Sequence, residues 1–153
     1  MGNAVWRAVY RLGYRVLRLW WFLRRPSHRG AMVAVWCQGH LLVVRQSYRP
    51  GLTLPGGSIA KGEGAAAAAC RELQEELGLS AEPQALAHVR DVVLWFEHRR
   101  DHVSFFDLRL GEMPTPLPDN REIVEARFLS LEAVRALPLS PLLTAYLAAG
   151  GVP

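Results

Sequence analysis

Glu72, Glu75 and Glu76 recur at spacings i, i+3 and i+4 within residues 57–79, GSIAKGEGAAAAACRELQEELGL. On a helix these carboxylates share one side, because residues three and four apart are neighbours on successive turns. Like charges that close repel, and a hard divalent cation, which takes oxygen ligands, would neutralise them. Gly56, Gly57, Gly62 and Gly64 ahead of the helix permit a tightly looped backbone, and Gly78 stands where a helix C-cap belongs. The stretch therefore reads as a helix that holds a divalent metal.

The rest of the chain must position this helix. Its 153 residues are enough for one domain with a real core, and half of them are apolar. Charge is split along the sequence. Residues 1–62 carry nine arginines, one lysine and no acid, while residues 63–153 carry 14 acids against eight arginines, a net +4. A basic surface suited to phosphates, anionic lipid or nucleic acid thus accompanies an acidic cluster suited to a cation. Cys37 and Cys70 are too few for a disulfide framework and read as reduced thiols in a cytoplasmic protein.

Residues 3–25 form a separate segment. Arg7, Arg11, Arg15 and Arg18 line one helical stripe, and Val9, Leu12, Val16, Leu19, Trp20 and Leu23 fall opposite, with Trp6 and Leu17 at the edge. Arginines interrupt it throughout, so it is not a spanning helix, and it lacks the core and cleavage site of a secretory signal. Three roles stay open: packing its apolar face on the domain or on a second subunit, lying in an anionic membrane interface, or targeting an organelle. Pro26 ends this helix and residues 26–30 are a linker, so the chain divides into residues 1–27, a basic amphipathic arm, and residues 28–153, the main domain.

Residues 31–37 and 40–45 read as a hairpin about Gln38-Gly39, and residues 52–54 as a short extended piece cut by Pro55. Beyond the motif, residues 85–96 and 102–110 are strand-like, joined through the charged turn 97–101. Residues 111–120, with three prolines, form a loop. Alternation marks residues 122–129, with Ile123 and Phe128 inward. Ser130 caps a helix over 131–137, and a last helix starts at Ser140-Pro141 and ends at Gly150-Gly151. Strands, one central helix, more strands and C-terminal helices predict an α/β sandwich with a mixed sheet.

Residues 57–79 also fit, at every fixed position, the Nudix box G-x5-E-x7-R-E-U-x-E-E-x-G-U with U aliphatic. Those positions are Gly57, Glu63, Arg71, Glu72, Leu73, Glu75, Glu76, Gly78 and Leu79, preceded by Leu54 to Gly57 as LPGG. The chain resembles the Nudix hydrolases of small bacterial type, which implies their α/β/α sandwich, here preceded by an extra amphipathic helix. The resemblance implies hydrolysis of the pyrophosphate bond of a nucleoside diphosphate linked to another group, with Mg2+ or Mn2+ as cofactor. It places the metal on Glu72, Glu75, Glu76 and the Gly56 carbonyl, with Arg71 orienting a neighbouring Glu. Leu73 and Leu77 would face the core.

A general base in this family often follows the box. Glu122 is the preferred candidate here, ahead of Glu125 and Glu97, and each competes with being a plain surface carboxylate. Arg45 and Arg49 could reach the substrate's phosphates, and Trp36, Trp95 and Phe96 could stack on a base or fill the core. The proline that marks ADP-ribose pyrophosphatases after the box is absent, with Leu94 in its place. The tyrosine of dinucleoside polyphosphate hydrolases is absent too, with Trp95 and Phe96 there. The expected partner is a nucleotide-type pyrophosphate, without a stable nucleic-acid complex. Residues 3–25 are expected to add a homodimer contact or a peripheral contact at the inner face of the membrane. A Nudix-fold module that binds nucleotides, or docks on a membrane as a sensor, without strong catalysis is the alternative.

Overall fold

The computed structural model describes residues 3–24, 27–148 and 150. The expected helix stop at Pro26 and the end at Gly151 lie outside them. In chain order the elements are α1 (Asn3–Arg24), β1 (Ser27–Cys37), β2 (His40–Gln46), β3 (Leu52–Thr53), β4 (Gly56–Ser58), α2 (Ala65–Leu77), a 3-10 turn (Pro83–Ala85), β5 (Ala87–Phe96), β6 (Arg99–Leu110), β7 (Ile123–Ser130), α3 (Leu131–Arg135) and α4 (Pro141–Ala148).

One seven-stranded sheet runs β3-β2-β1-β6-β5, with β4 added on β1 and β7 on β2. β1 and β6 pair in parallel from Ser27↔Arg100 to Cys37↔Leu110, while the other pairings are antiparallel, so the sheet is mixed. β1 meets β2 only at Trp36↔Leu41 and Cys37↔His40, and its other end takes β4 through Gly30↔Ser58 to Met32↔Gly56. The two central strands therefore part, and the glycine loop enters between them.

Alternation along β1 builds two cores, as the period of two requires. Met32, Ala34 and Trp36 join Phe105, Leu143 and Tyr146 beneath α3 and α4, whereas Ala31, Val33 and Val35 join Ala68, Ala69, Leu73 and Leu77 of α2 on the other face. Helices on both faces make the α/β/α sandwich that the sequence predicts. Full burial of Leu73 and Leu77 fixes α2, each contributing on the order of 2 kcal/mol. Ala68 and Ala69, both fully buried, let the helix approach the strands closely.

Two expectations need correcting. The linker expected at 26–30 is strand from Ser27, paired with β6. The charged turn expected over 97–101 contracts to Glu97 and His98, whose φ values of 51° and 68° suit a tight two-residue hairpin. Arg99, Arg100 and Asp101 belong to β6, with Arg99 and Asp101 buried on one face in step with Val103 and Phe105. Their charges disguise a strand because the two buried ones offset each other.

Candidate active site

α2 begins without a side-chain cap at Gly64 and ends at Gly78, whose φ of 68° lets its N–H return to the Gln74 carbonyl. Between those ends the helix presents its acids toward the glycine loop. Glu76, 6% exposed, accepts the Gly56 N–H at 3.0 Å. Gly56 has φ +140°, and a Cβ there would lie 2.2 Å from the Ala31 carbonyl oxygen, so only glycine fits. A Cβ on Gly57 would lie 2.5 Å from the Glu72 carboxyl, which shows how closely that carboxylate lies over the loop.

Arg71 ties this acidic face together. Its guanidinium donates to Glu63 at 2.9 and 3.1 Å, to Glu72 at 2.8 Å and to the Ser58 carbonyl at 2.9 Å. Glu63 also accepts the Ala60 N–H at 2.8 Å, so the pair clamps the loop to the helix. The hydrogen bonds from Arg71 hold the Glu63 carboxyl below the usual range. Burial pushes Glu72 up, against the pull of Arg71. Glu76 is driven well above the usual range by burial, opposed by the Gly56 N–H and reinforced by the charges of Glu122, Glu72 and Asp119.

Glu122 reaches this cluster from the loop before β7. Asp119 accepts the N–H groups of Arg121, Glu122 and Ile123 at 2.9 to 3.2 Å, and the Glu122 carbonyl accepts the Ser47 N–H at 2.8 Å. The Asp119 N–H in turn donates to the Glu76 carbonyl at the end of α2, which locks the loop to the motif helix. The Tyr48 hydroxyl donates to Glu122 Oε1. Burial, then the adjacent Glu122 charge, raises the Tyr48 pKa, so the phenol remains a donor.

These groups border a cavity of about 600 Å3. Glu72, Glu122, Gly56 and Gly57 form its acidic end, and α1 forms a wall through Trp6, Tyr10, Gly13, Tyr14, Leu17 and Trp21. Tyr10 stacks on Tyr48 at 6.2 Å between ring centroids, and Tyr14 packs on it at 5.0 Å. Arg7 and Arg11 fasten the helix by donating to the Asn120 and Ser47 carbonyls at 3.0 and 3.1 Å. A further wall holds His28, Arg49, Arg99 and Asp101. Arg99 lies 2.7 Å from Asp101 and 4.0 Å from the Trp21 ring centroid, held by charge and cation–π attraction more than by an aligned hydrogen bond.

The family model for the NUDIX domain matches residues 26–148. The chain belongs to the Nudix family. It is an enzyme of that family's kind, a pyrophosphohydrolase. A MutT NUDIX hydrolase from Burkholderia pseudomallei has the same fold at 19% identity, over 80% of this chain and 97% of that one, with a TM-score of 0.72. A C. elegans Ap4A hydrolase matches at 17% identity, over 81% and 95%, with a TM-score of 0.68. A bifunctional NMN adenylyltransferase/ADP ribose pyrophosphatase from Francisella tularensis, complexed with AMP and a manganese ion, matches at 21% identity. That match covers 92% of this chain and 47% of the other, with a TM-score of 0.65. No curated protein matches the chain in sequence.

Glu72, the Gly56–Gly57 loop and Glu122 line one end of the cavity, and the box residues Arg71 and Glu76 hold that end, Arg71 on Glu72 and Glu76 on the Gly56 N–H. Glu75 stands apart, 60% exposed and 3.5 Å from Arg71. Arg49 lines the cavity, paired with Glu97 at 2.9 Å and with the Tyr14 hydroxyl at 3.0 Å. Arg45 does not reach it: exposed on β2, it pairs with Glu125 across the β2–β7 ladder. That pairing also takes Glu125 out of the site, and Glu97 serves Arg49 instead of the carboxylate cluster. Trp36 is buried and donates to the Tyr146 hydroxyl at 2.9 Å, a core role, and Trp95 is 72% exposed on β5. The Phe96 side chain lies outside the described set.

Sequence reasoning missed Tyr48, His28, Arg99, Asp101 and the aromatic wall of α1. The wall had a signal: Trp6, Tyr10, Tyr14, Leu17 and Trp21 recur at steps of three and four. That stripe, not the Val/Leu stripe, packs on the domain. α1 has three faces where two were expected.

Proposed function

We propose that this Nudix enzyme hydrolyses the diphosphate link of a nucleotide-type substrate with Mg2+ or Mn2+. The observation that carries the reading is that Glu72 and Glu122 line one end of a cavity walled by aromatic rings, with the buried Glu76 of the box beside them on the Gly56 loop. The donor set suits a hard divalent ion, because Glu76 is buried and the half-buried Glu72 and Glu122 beside it raise the cost of its charge, which a cation relieves. Among the described residues no three acidic, His or Cys side chains form a metal site; Arg71 holds Glu72, and the Gly56 N–H holds Glu76. Glu72, Glu76, Glu122 and the Gly56 carbonyl are the groups that would hold the ion, with Glu75 within the same helix turn as a further ligand. A bound ion offsets the charge of the diphosphate and activates water for attack at phosphorus.

The chain's own residues do the remainder. Arg71 orients Glu72, Tyr48 holds Glu122 Oε1, and Asp119 fixes the Glu122 backbone. Glu122 is our candidate to take the proton of the attacking water as the bridging P–O bond breaks. Tyr10 and Tyr14 offer ring faces to the base, and Arg49 stands across the cavity for phosphate. Residues 1–27 serve as an arm on the hydrolase domain of residues 28–153, and two unpaired cysteines suit the cytoplasm. Among the described residues no helix is long and apolar enough to cross a membrane.

Turnover of a panel of normal and oxidised nucleoside triphosphates, ADP-ribose, NADH and dinucleoside polyphosphates tests this reading. We expect at least one member to be cleaved with Mg2+ or Mn2+ and none with the ion chelated. No cleavage of any member with either ion would sink it.

A further inference from the structure

We propose that α1 seats the protein on an anionic lipid bilayer through the stripe that faces away from the domain. That stripe includes Leu12, Val16, Leu19, Trp20 and Leu23, each between 49% and 71% exposed. Five large apolar side chains in one line on a helix held against its domain mark a docking face. The domain cannot be what covers it, because the Tyr10–Tyr14–Trp21 stripe already occupies that contact.

Charge selects the occupant. Arg15 and Arg18 are exposed on the polar face, in one row with Arg7 and Arg11, and Arg15 lies next to Leu19 at the border of the apolar stripe. Arg7 and Arg11 donate to backbone carbonyls, which leaves their charge uncompensated. Residues 1–62 contain no acid, and among the described residues no ion pair joins these four arginines to a carboxylate. A second copy of α1 would add a second uncompensated arginine row and bring no carboxylate to answer the first. Anionic headgroups instead meet the arginines while acyl chains take the leucines, and Trp20 suits the boundary between them. The helix then lies flat in the interface, and Trp6, Tyr10 and Tyr14 keep their place on the cavity.

Sedimentation of the full chain with vesicles tests this without any turnover, so it stands or falls separately from the hydrolase reading. The parent protein should pellet with phosphatidylcholine vesicles containing phosphatidylglycerol, less so as salt rises, and remain in solution with phosphatidylcholine alone. Arg15→Gln combined with Arg18→Gln should bind roughly tenfold more weakly or worse. Leu12→Gln, Leu19→Gln and Leu23→Gln together should stay in solution, with the parent's circular dichroism. The proposal is overturned if the parent ignores anionic vesicles or if the triple leucine variant pellets as well as the parent. It is equally overturned if light scattering finds a parent dimer that this variant dissolves, since the face then belongs to a second copy.

Discussion

His28 shows how a single residue reports on the cavity wall. It lines the cavity, contacts Ser58 Oγ at 2.8 Å and lies 3.6 Å from Asp101. Burial, and then the positive Arg99 beside it, lowers its pKa against the pull of Asp101. In the unfolded chain the imidazole takes up a proton near pH 6.5, whereas the folded protein resists it. The unfolded state thus binds more protons in that window, so this contribution to stability is present above it and fades as pH falls. His28→Gln should flatten the fall in Tm between about pH 7 and about pH 5. An unchanged slope would mean that the ring is not held neutral by its surroundings. The same wall explains why Arg99 and Asp101 escaped notice in the sequence: read singly they are turn residues, and only their pairing inside a strand makes them buried.

At the scale of elements, the motif helix was legible because its chemistry is local. Carboxylate spacing, the glycine loop and the aliphatic positions of residues 57–79 all lie within a few turns of one another. The sandwich was legible through strand alternation and through the burial of Leu73 and Leu77. α1 was legible as a helix but not in its orientation. An apolar stripe ordinarily turns inward, yet here tyrosines take that side, since their rings meet Tyr48 and Arg49 while the Tyr14 hydroxyl accepts from Arg49. Only long-range contact decides between two such faces. If the wall holds the base, Tyr10→Ala should raise KM by roughly tenfold with kcat near the parent's, the sign of lost uniform binding. Trp95→Ala, outside the cavity, should change neither. A Tyr10→Ala variant with the parent's KM would remove α1 from substrate binding.

For the whole molecule, the charge split in the sequence corresponds to a division of space. The arginine row lies along α1, the acids gather where α2 meets the loop before β7, and the cavity lies between those acids and the aromatic stripe of α1. Sequence named the box residues but could not rank the later glutamates, because Glu122, Glu125 and Glu97 differ only in what their neighbours do. In the fold, Glu125 answers Arg45 and Arg127, Glu97 answers Arg49, and Glu122 takes the Tyr48 hydroxyl with its charge felt at Glu72 and Glu76. That ranking is the central claim, and kcat on whichever panel substrate is cleaved tests it most directly. Glu122→Gln should lower kcat by about 10²- to 10⁴-fold with Mn2+ bound, while Glu125→Gln leaves it within about twofold. Equal rates for Glu122→Gln and the parent, or a larger loss at Glu125, would contradict the account.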